Sequence, residues 1–230
     1  MNTVKSPPTA RKKVLKTPSP AIKKSSPTLS APVDDIRDAV TKLKRERIIA
    51  TALELFNENG LNNTTLFAVA EKMNVTKPFI YTHFKSKNEL LSEICSRGIR
   101  ASLDVLDRVV ATNDSATEKL RIFAHDFMMA VIENQSHIAI YTREEKNLAP
   151  ESRKAIQKMR REFDRKFCLL LEQGVKVGEF QVADVRLTSL SIGGLISWSY
   201  VWYRPDGRLS KQETSDHVAE LVLAMVKAKR

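Results

Sequence analysis

Glycine is scarce in this chain, cysteine is nearly absent, and no apolar run is long. Seven glycines occur in 230 residues, and β-branched residues rarely alternate with polar ones, which argues against a turn-rich all-β fold and for an all-α one. Cys95 and Cys168 stand far apart, in apolar helical contexts, with no metal or redox spacing. They read as free buried thiols in a reducing compartment, so a cytoplasmic location is expected. No apolar stretch reaches the roughly 18 residues of a membrane span, and the basic N-terminus lacks the apolar segment of a secretory signal. His83, His125, His137 and His217 fall on four predicted helices without a second ligand nearby, so neither a metal site nor a cofactor is expected. Gly-x-Ser-x-Gly and phosphate-binding glycine loops are missing, so no enzymatic activity is expected.

Acidic residues are absent from residues 1–33, which hold seven cations and six prolines. This segment contributes +7 of the net charge of +11, leaving +4 for the remainder. It cannot bury enough apolar surface to offset its ordering entropy and is expected to be a disordered basic tail. Two readings stay open for it: a cationic arm that adds phosphate contacts, or a solvated leader from a misassigned start.

The most informative stretch is TTLFAVAEKMNVTKPFIYTHFKSKNEL, Thr64 to Leu90. Leu66, Val69, Ala70 and Met73 recur three and four residues apart and give one helix an apolar face. Asn74-Val75 interrupts it. Thr76 can cap a second helix, and Pro78 fits its first turn, where a missing N–H costs little. Phe79, Ile80 and Phe84 can pack inward, leaving Lys77, Tyr81, Thr82 and His83 with polar tips outward. Polar tips on a short, apolar-backed helix suit a major groove. Upstream, Ile48, Ile49, Ala52, Leu53 and Phe56 stripe a first long helix over 34–59, closed by Gly60, with Lys44 among the cations of its early part.

From Gly60 to Leu90 the chain resembles the helix-turn-helix of the TetR family of transcriptional repressors: Gly, Thr-Thr, hydrophobic-Ala, Val-Thr, Tyr-x-His-Phe and Lys-x-Glu-Leu follow one another without a gap. Met73-Asn74-Val75 stands where the family usually has Ala-Gly-Val, and asparagine tolerates the left-handed backbone such a turn needs. The resemblance implies a DNA-binding domain over residues 34–85 and a helical effector-binding and dimerisation domain over 86–230. It also implies phosphate contacts from Thr64, Thr65, Tyr81, His83 and Lys87, with Lys44 and Thr76 at the same surface. Lys77, Phe79 and Thr82, beside Pro78, are the candidates for base edges or a thymine methyl.

Downstream, three S/T-x-x-E signals, at Ser86–Glu89, Ser115–Glu118 and Ser210–Glu213, open helices. A long helix after Pro150 carries an apolar stripe through Phe163 and Phe167, backed by Arg153, Lys154, Arg160, Arg161, Arg165 and Lys166. DVRLTSLSIGGLISWSYVWYR, from Asp184, is apolar nearly all round and reads as one helix buried on several sides. Gly193-Gly194 in its middle costs about 1 kcal/mol per residue relative to alanine, which makes sense where a helix or ligand approaches closely.

Arg143-Glu144, Leu148-Ala149-Pro150-Glu151 and Trp198 through Trp202-Tyr203-Arg204-Pro205-Asp206-Gly207-Arg208-Leu209-Ser210 are similar to an acyl-CoA-responsive subgroup of that family. The resemblance implies an acyl-CoA thioester, or a related lipid or aromatic catabolite, as effector. Phe123, Phe127, Tyr141, Phe163, Phe167, Trp198 and Trp202 are then candidates for the acyl cavity, and Arg143 and Arg204 for its polar rim. The expected protein is a homodimeric repressor on a palindromic double-stranded operator, with no membrane partner. The alternatives are a regulator of an efflux pump sensing hydrophobic drugs, a helical enzyme or carrier, and a nonspecific DNA coater led by the basic tail.

Overall fold

The computed structural model describes residues 1–3 and 33–227. The expected basic tail therefore lies almost wholly outside the described residues. The chain divides into two units between Ala39 and Val40. All regular structure among the described residues is helical: α1 (Val33–Asn63), α2 (Leu66–Lys72), α3 (Lys77–His83), α4 (Lys87–Val110), α5 (Ala116–Glu133), α6 (Gln135–Glu144), a single 3-10 turn (Glu145–Asn147), α7 (Pro150–Lys176), α8 (Val185–Ser197), α9 (Ser199–Trp202) and α10 (Lys211–Met225).

Helix starts follow from side chains that accept otherwise orphaned N–H groups. Thr65 caps α2 by accepting from the Ala68 N–H. Replacing Thr65 with alanine should lower stability by about 1 kcal/mol, readable as a lower melting temperature; an unchanged melt would remove the cap's role. Ser86 caps α4 and Ser115 caps α5. The reciprocal arm of a capping box closes only at Ser210–Glu213 among the described residues. At α4 the Glu89 carboxylate accepts from the Lys85 N–H instead, and Glu118 pairs with Arg121.

Gly60 adopts φ 77°, ψ 163°, a region effectively reserved for glycine. It breaks the first helix as expected, but helical turns resume after it to Asn63. Carbonyls around this break are taken by side chains. The Thr64 hydroxyl lies within donating distance of the Leu55 and Gly60 oxygens. Asn63 bonds Asn59 O, Lys87 Nζ bonds Leu61 O at 3.0 Å, and Arg143 bonds Phe56 O at 2.9 Å. Two of these donors are cations, which suit the negative end of a helix. The turn between α2 and α3 is left-handed at Asn74, φ 54°.

Two buried clusters organise the Val40–Arg230 unit. One joins Ile48, Ala52, Phe56, Val69, Ile80, Phe84 and Leu90 to Ile140, Leu148 and Ile156. The expected boundary at residues 85/86 thus runs through a continuous core. The other gathers α5, α7, α8, α10 and the second half of α4 around Phe123, Phe127, Phe163 and Phe167, whose ring centroids lie 4.6 to 6.1 Å apart.

The last apolar segment departs from expectation twice. It divides at Trp198 into α8 and α9. It is also buried along one side only, at Ser189, Ile192, Ile196 and Ser199, while Leu187, Leu190, Leu195, Trp198, Val201 and Trp202 are exposed. Among the described residues nothing comes within 4 Å of a Cβ built on Gly193 or Gly194, so no neighbouring element there explains them.

Candidate nucleic-acid interface and effector cavity

Ile80 and Phe84 are fully buried and fix the inner side of α3. Arg45 reinforces this seat: its guanidinium lies 4.2 Å from the Phe84 ring centroid and donates to the His83 carbonyl. Outward stand Thr76, Lys77, Pro78, Tyr81 and Thr82, all exposed. Lys77 Nζ sits 5.7 Å from the Tyr81 ring centroid, one turn along the helix, so ammonium and phenol share a face. Thr76 caps α3 by backbone alone, which leaves its hydroxyl free of the helix end. The Thr82 hydroxyl donates to Phe79 O of its own helix.

Phe79 is half-buried, edge-on to His83 at 5.2 Å, with Lys44 Nζ 5.8 Å from its centroid. It both packs inward and keeps an edge at the surface. Burial first, then the charges of Lys44 and Arg45, hold the His83 imidazole below its ordinary value, which favours the neutral ring. Thr65 is exposed and caps α2.

Two of the residues expected at phosphates have partners within the protein. Thr64 is buried and its hydroxyl points to backbone carbonyls. Lys87 donates one of its three ammonium N–H groups to Leu61 O. Phe67, 52% exposed on α2, escaped sequence reasoning; its only signal was standing off the Leu66/Val69/Ala70 face.

A second site lies among α4 to α8, a cavity of about 230 Å³. Phe127, Val131 and Phe163 form an aromatic and aliphatic wall, with Ile138 and Tyr141 from α6. Small residues line it too, Gly98 and Ser102 from α4, and Ser189, Gly193, Gly194 and Ser197 from α8, while Arg160, 4.8 Å from the Tyr141 ring centroid, and Asp164 bring charge from α7. Burial, with the charge of nearby Glu145, pushes the Tyr141 phenol up to about 12. That carboxylate lies near the phenol but outside hydrogen-bond geometry, since Tyr141 Oη has no partner among the described residues.

Of the expected cavity residues, Phe127, Tyr141 and Phe163 line the space. Phe123 and Phe167 are fully buried behind the wall. Trp198 and Trp202 do not line it and are exposed. Arg204 donates to Val201 and Tyr203 carbonyls, and Arg143 to Glu144 and Phe56 O. No cluster of metal-binding side chains occurs among the described residues, and no helix there is long and apolar enough to cross a membrane.

Residues 48–94 match the model for bacterial regulatory proteins of the tetR family, and residues 113–226 match the tetracyclin repressor-like C-terminal domain. The HTH-type transcriptional repressor KstR2 of Rhodococcus jostii is 30% identical over 189 residues, covering 80% of this chain and 89% of that protein. The chain belongs to the TetR family. It is thus a transcriptional regulator with a DNA-binding helix-turn-helix, in a family of regulators rather than enzymes. Among solved structures, PfmR from Thermus thermophilus superposes with a TM-score of 0.70 at 26% identity, covering 80% of this TetR-family chain and 99% of PfmR. AibR in complex with isovaleryl coenzyme A and operator DNA shares the fold at a TM-score of 0.66 and 24% identity, covering 81% and 100% of the two chains.

Proposed function

We propose that this TetR-family protein acts in the cytoplasm as a homodimeric repressor of a palindromic operator, released when an acyl-CoA thioester or related catabolite enters the α4–α8 cavity. The observation that carries the DNA half is the exposed Lys77–Tyr81 pair on a helix seated by Ile80 and Phe84. Thr76, Pro78 and Thr82 stand beside the pair on that helix, while Thr65 and Lys44 are exposed on the two preceding helices. Two protomers related by a two-fold axis would read half-sites about one helical turn apart.

The dimer is supported by the apolar side chains left exposed on α8 to α10, namely Leu187, Leu190, Trp198, Trp202, Leu221 and Met225. The effector half is supported by the aromatic wall of the cavity, and AibR, of the same fold, is seen with both an acyl-CoA and an operator. Release works only through unequal affinity of the ligand for the DNA-bound and DNA-free states.

Sedimentation of the purified protein, with operator binding followed during an acyl-CoA titration, tests this. A strictly monomeric protein, or a protein without sequence preference on DNA, would refute the repressor. Failure of every thioester to release the operator would remove that effector class and leave the repressor standing.

A further inference from the structure

The cavity adjoins a second depression of about 290 Å³, and the two share Asp164, Ser189 and Leu190. The depression is cationic. Arg161 and Arg165 come from α7 and Arg186 from the first turn of α8. None of these three guanidiniums has an ion-pair or hydrogen-bond partner among the described residues, whereas other cations of α7 are engaged: Lys166 with Asp107 and Glu162, and Arg153 with the Lys146 and Leu148 carbonyls. Asp164 is the one acidic side chain on this lining among the described residues, so cations prevail there three to one.

Ser189 marks the junction. The residue is 5% exposed, and its hydroxyl has no hydrogen-bond partner among the described residues. It is not among the side-chain atoms sealed from solvent, so it opens onto the shared space. A nearly buried hydroxyl without an acceptor costs free energy unless something supplies one. The aromatic wall, an orphaned hydroxyl and three unpaired guanidiniums therefore lie next to one another.

We propose that this groove is the anion subsite of the effector pocket: Arg161, Arg165 and Arg186 hold the negatively charged head of an amphipathic ligand whose apolar part occupies the Phe127–Phe163 chamber, and Ser189 donates to an oxygen at the join. The proposal rests on the effector reading above and specifies which half of the ligand provides affinity through charge. Two sources supply such a head, the phosphates of a CoA thioester and the carboxylate of a free acid.

Calorimetric titration separates them, using wild type, Arg186→Gln and the Arg161→Gln/Arg165→Gln pair. The ligands are CoA thioesters from butanoyl to dodecanoyl, the matching acyl-pantetheines, which lack the CoA phosphates, and the free acids. A guanidinium contact to an anion is a charge-assisted bond, so each variant should bind the preferred thioester about tenfold or more weakly. Its salt dependence should also flatten, while acyl-pantetheine binding stays as in wild type. Arg186→Lys should recover part of the loss.

Variants that bind the thioester as wild type does, or that lose acyl-pantetheine to the same extent, overturn the subsite. Tight binding of free acids but not thioesters, still sensitive to the arginines, keeps the subsite and removes the thioester reading. Binding of none of the anionic ligands overturns both.

Discussion

Replacing Lys77 and Tyr81 together with alanine is expected to weaken operator binding by roughly two orders of magnitude, on the order of 3 kcal/mol. The two side chains meet on the exposed face of α3, while Ile80 and Phe84 carry its packing, so the helix should survive the exchange. Lys77→Ala alone should also reduce the salt dependence of binding if its ammonium meets a phosphate, or relax preference at one base position if it meets a guanine. Fluorescence anisotropy with operator and scrambled duplexes reads both effects. Wild-type affinity and preference in the double variant would remove α3 from the groove.

Phe123→Ala should cost about 3–5 kcal/mol in stability. The ring is fully buried, 4.6 Å from Phe167 and 5.4 Å from Phe127 between centroids. Its removal opens a void behind the wall formed by Phe127 and Phe163, and the surrounding helices can close it only in part. At the few degrees per kcal/mol typical of a domain this size, the melting temperature should fall by about 10 °C. Chemical denaturation gives the free energy directly, and a loss under about 1 kcal/mol would mean the ring stack contributes little. Phe123→Leu should recover most of the difference by refilling the volume.

The DNA-binding half was legible because its signals are local. Helix starts and the Asn74 turn are fixed by neighbours within a few residues, and the apolar spacing of Ile80 and Phe84 marks them as inward although distant residues complete their seats. What was not legible was long-range. Thr64, Lys87 and Arg143 carry donors suited to phosphate or ligand, and all three also bond carbonyls near the Gly60 break. Nothing in a linear pattern tells a helix end which distant donor will reach it.

The α8 segment shows the complementary limit, since apolarity does not distinguish an interior from a surface awaiting a partner. Part of the cavity was invisible because it is lined by Gly98, Ser102, Ser189 and Ser197. Small side chains make room and leave no stripe. Only Gly193-Gly194 gave a signal, through the helix stability they forgo. Phe127, Tyr141 and Phe163 were found because bulky residues at helical spacing must bury something.

Helix α6 is both a wall and a tether. Ile138 and Tyr141 line the cavity, while Arg143, a few residues on, holds the Phe56 carbonyl of the first helix, and His137 bonds the Ile94 carbonyl of the fourth. Under the proposed function, a molecule that moved this wall would act on both bonds, and reciprocity would set the terms: the free energy by which a guest loosened the grip on DNA would equal that by which DNA resisted admitting the guest.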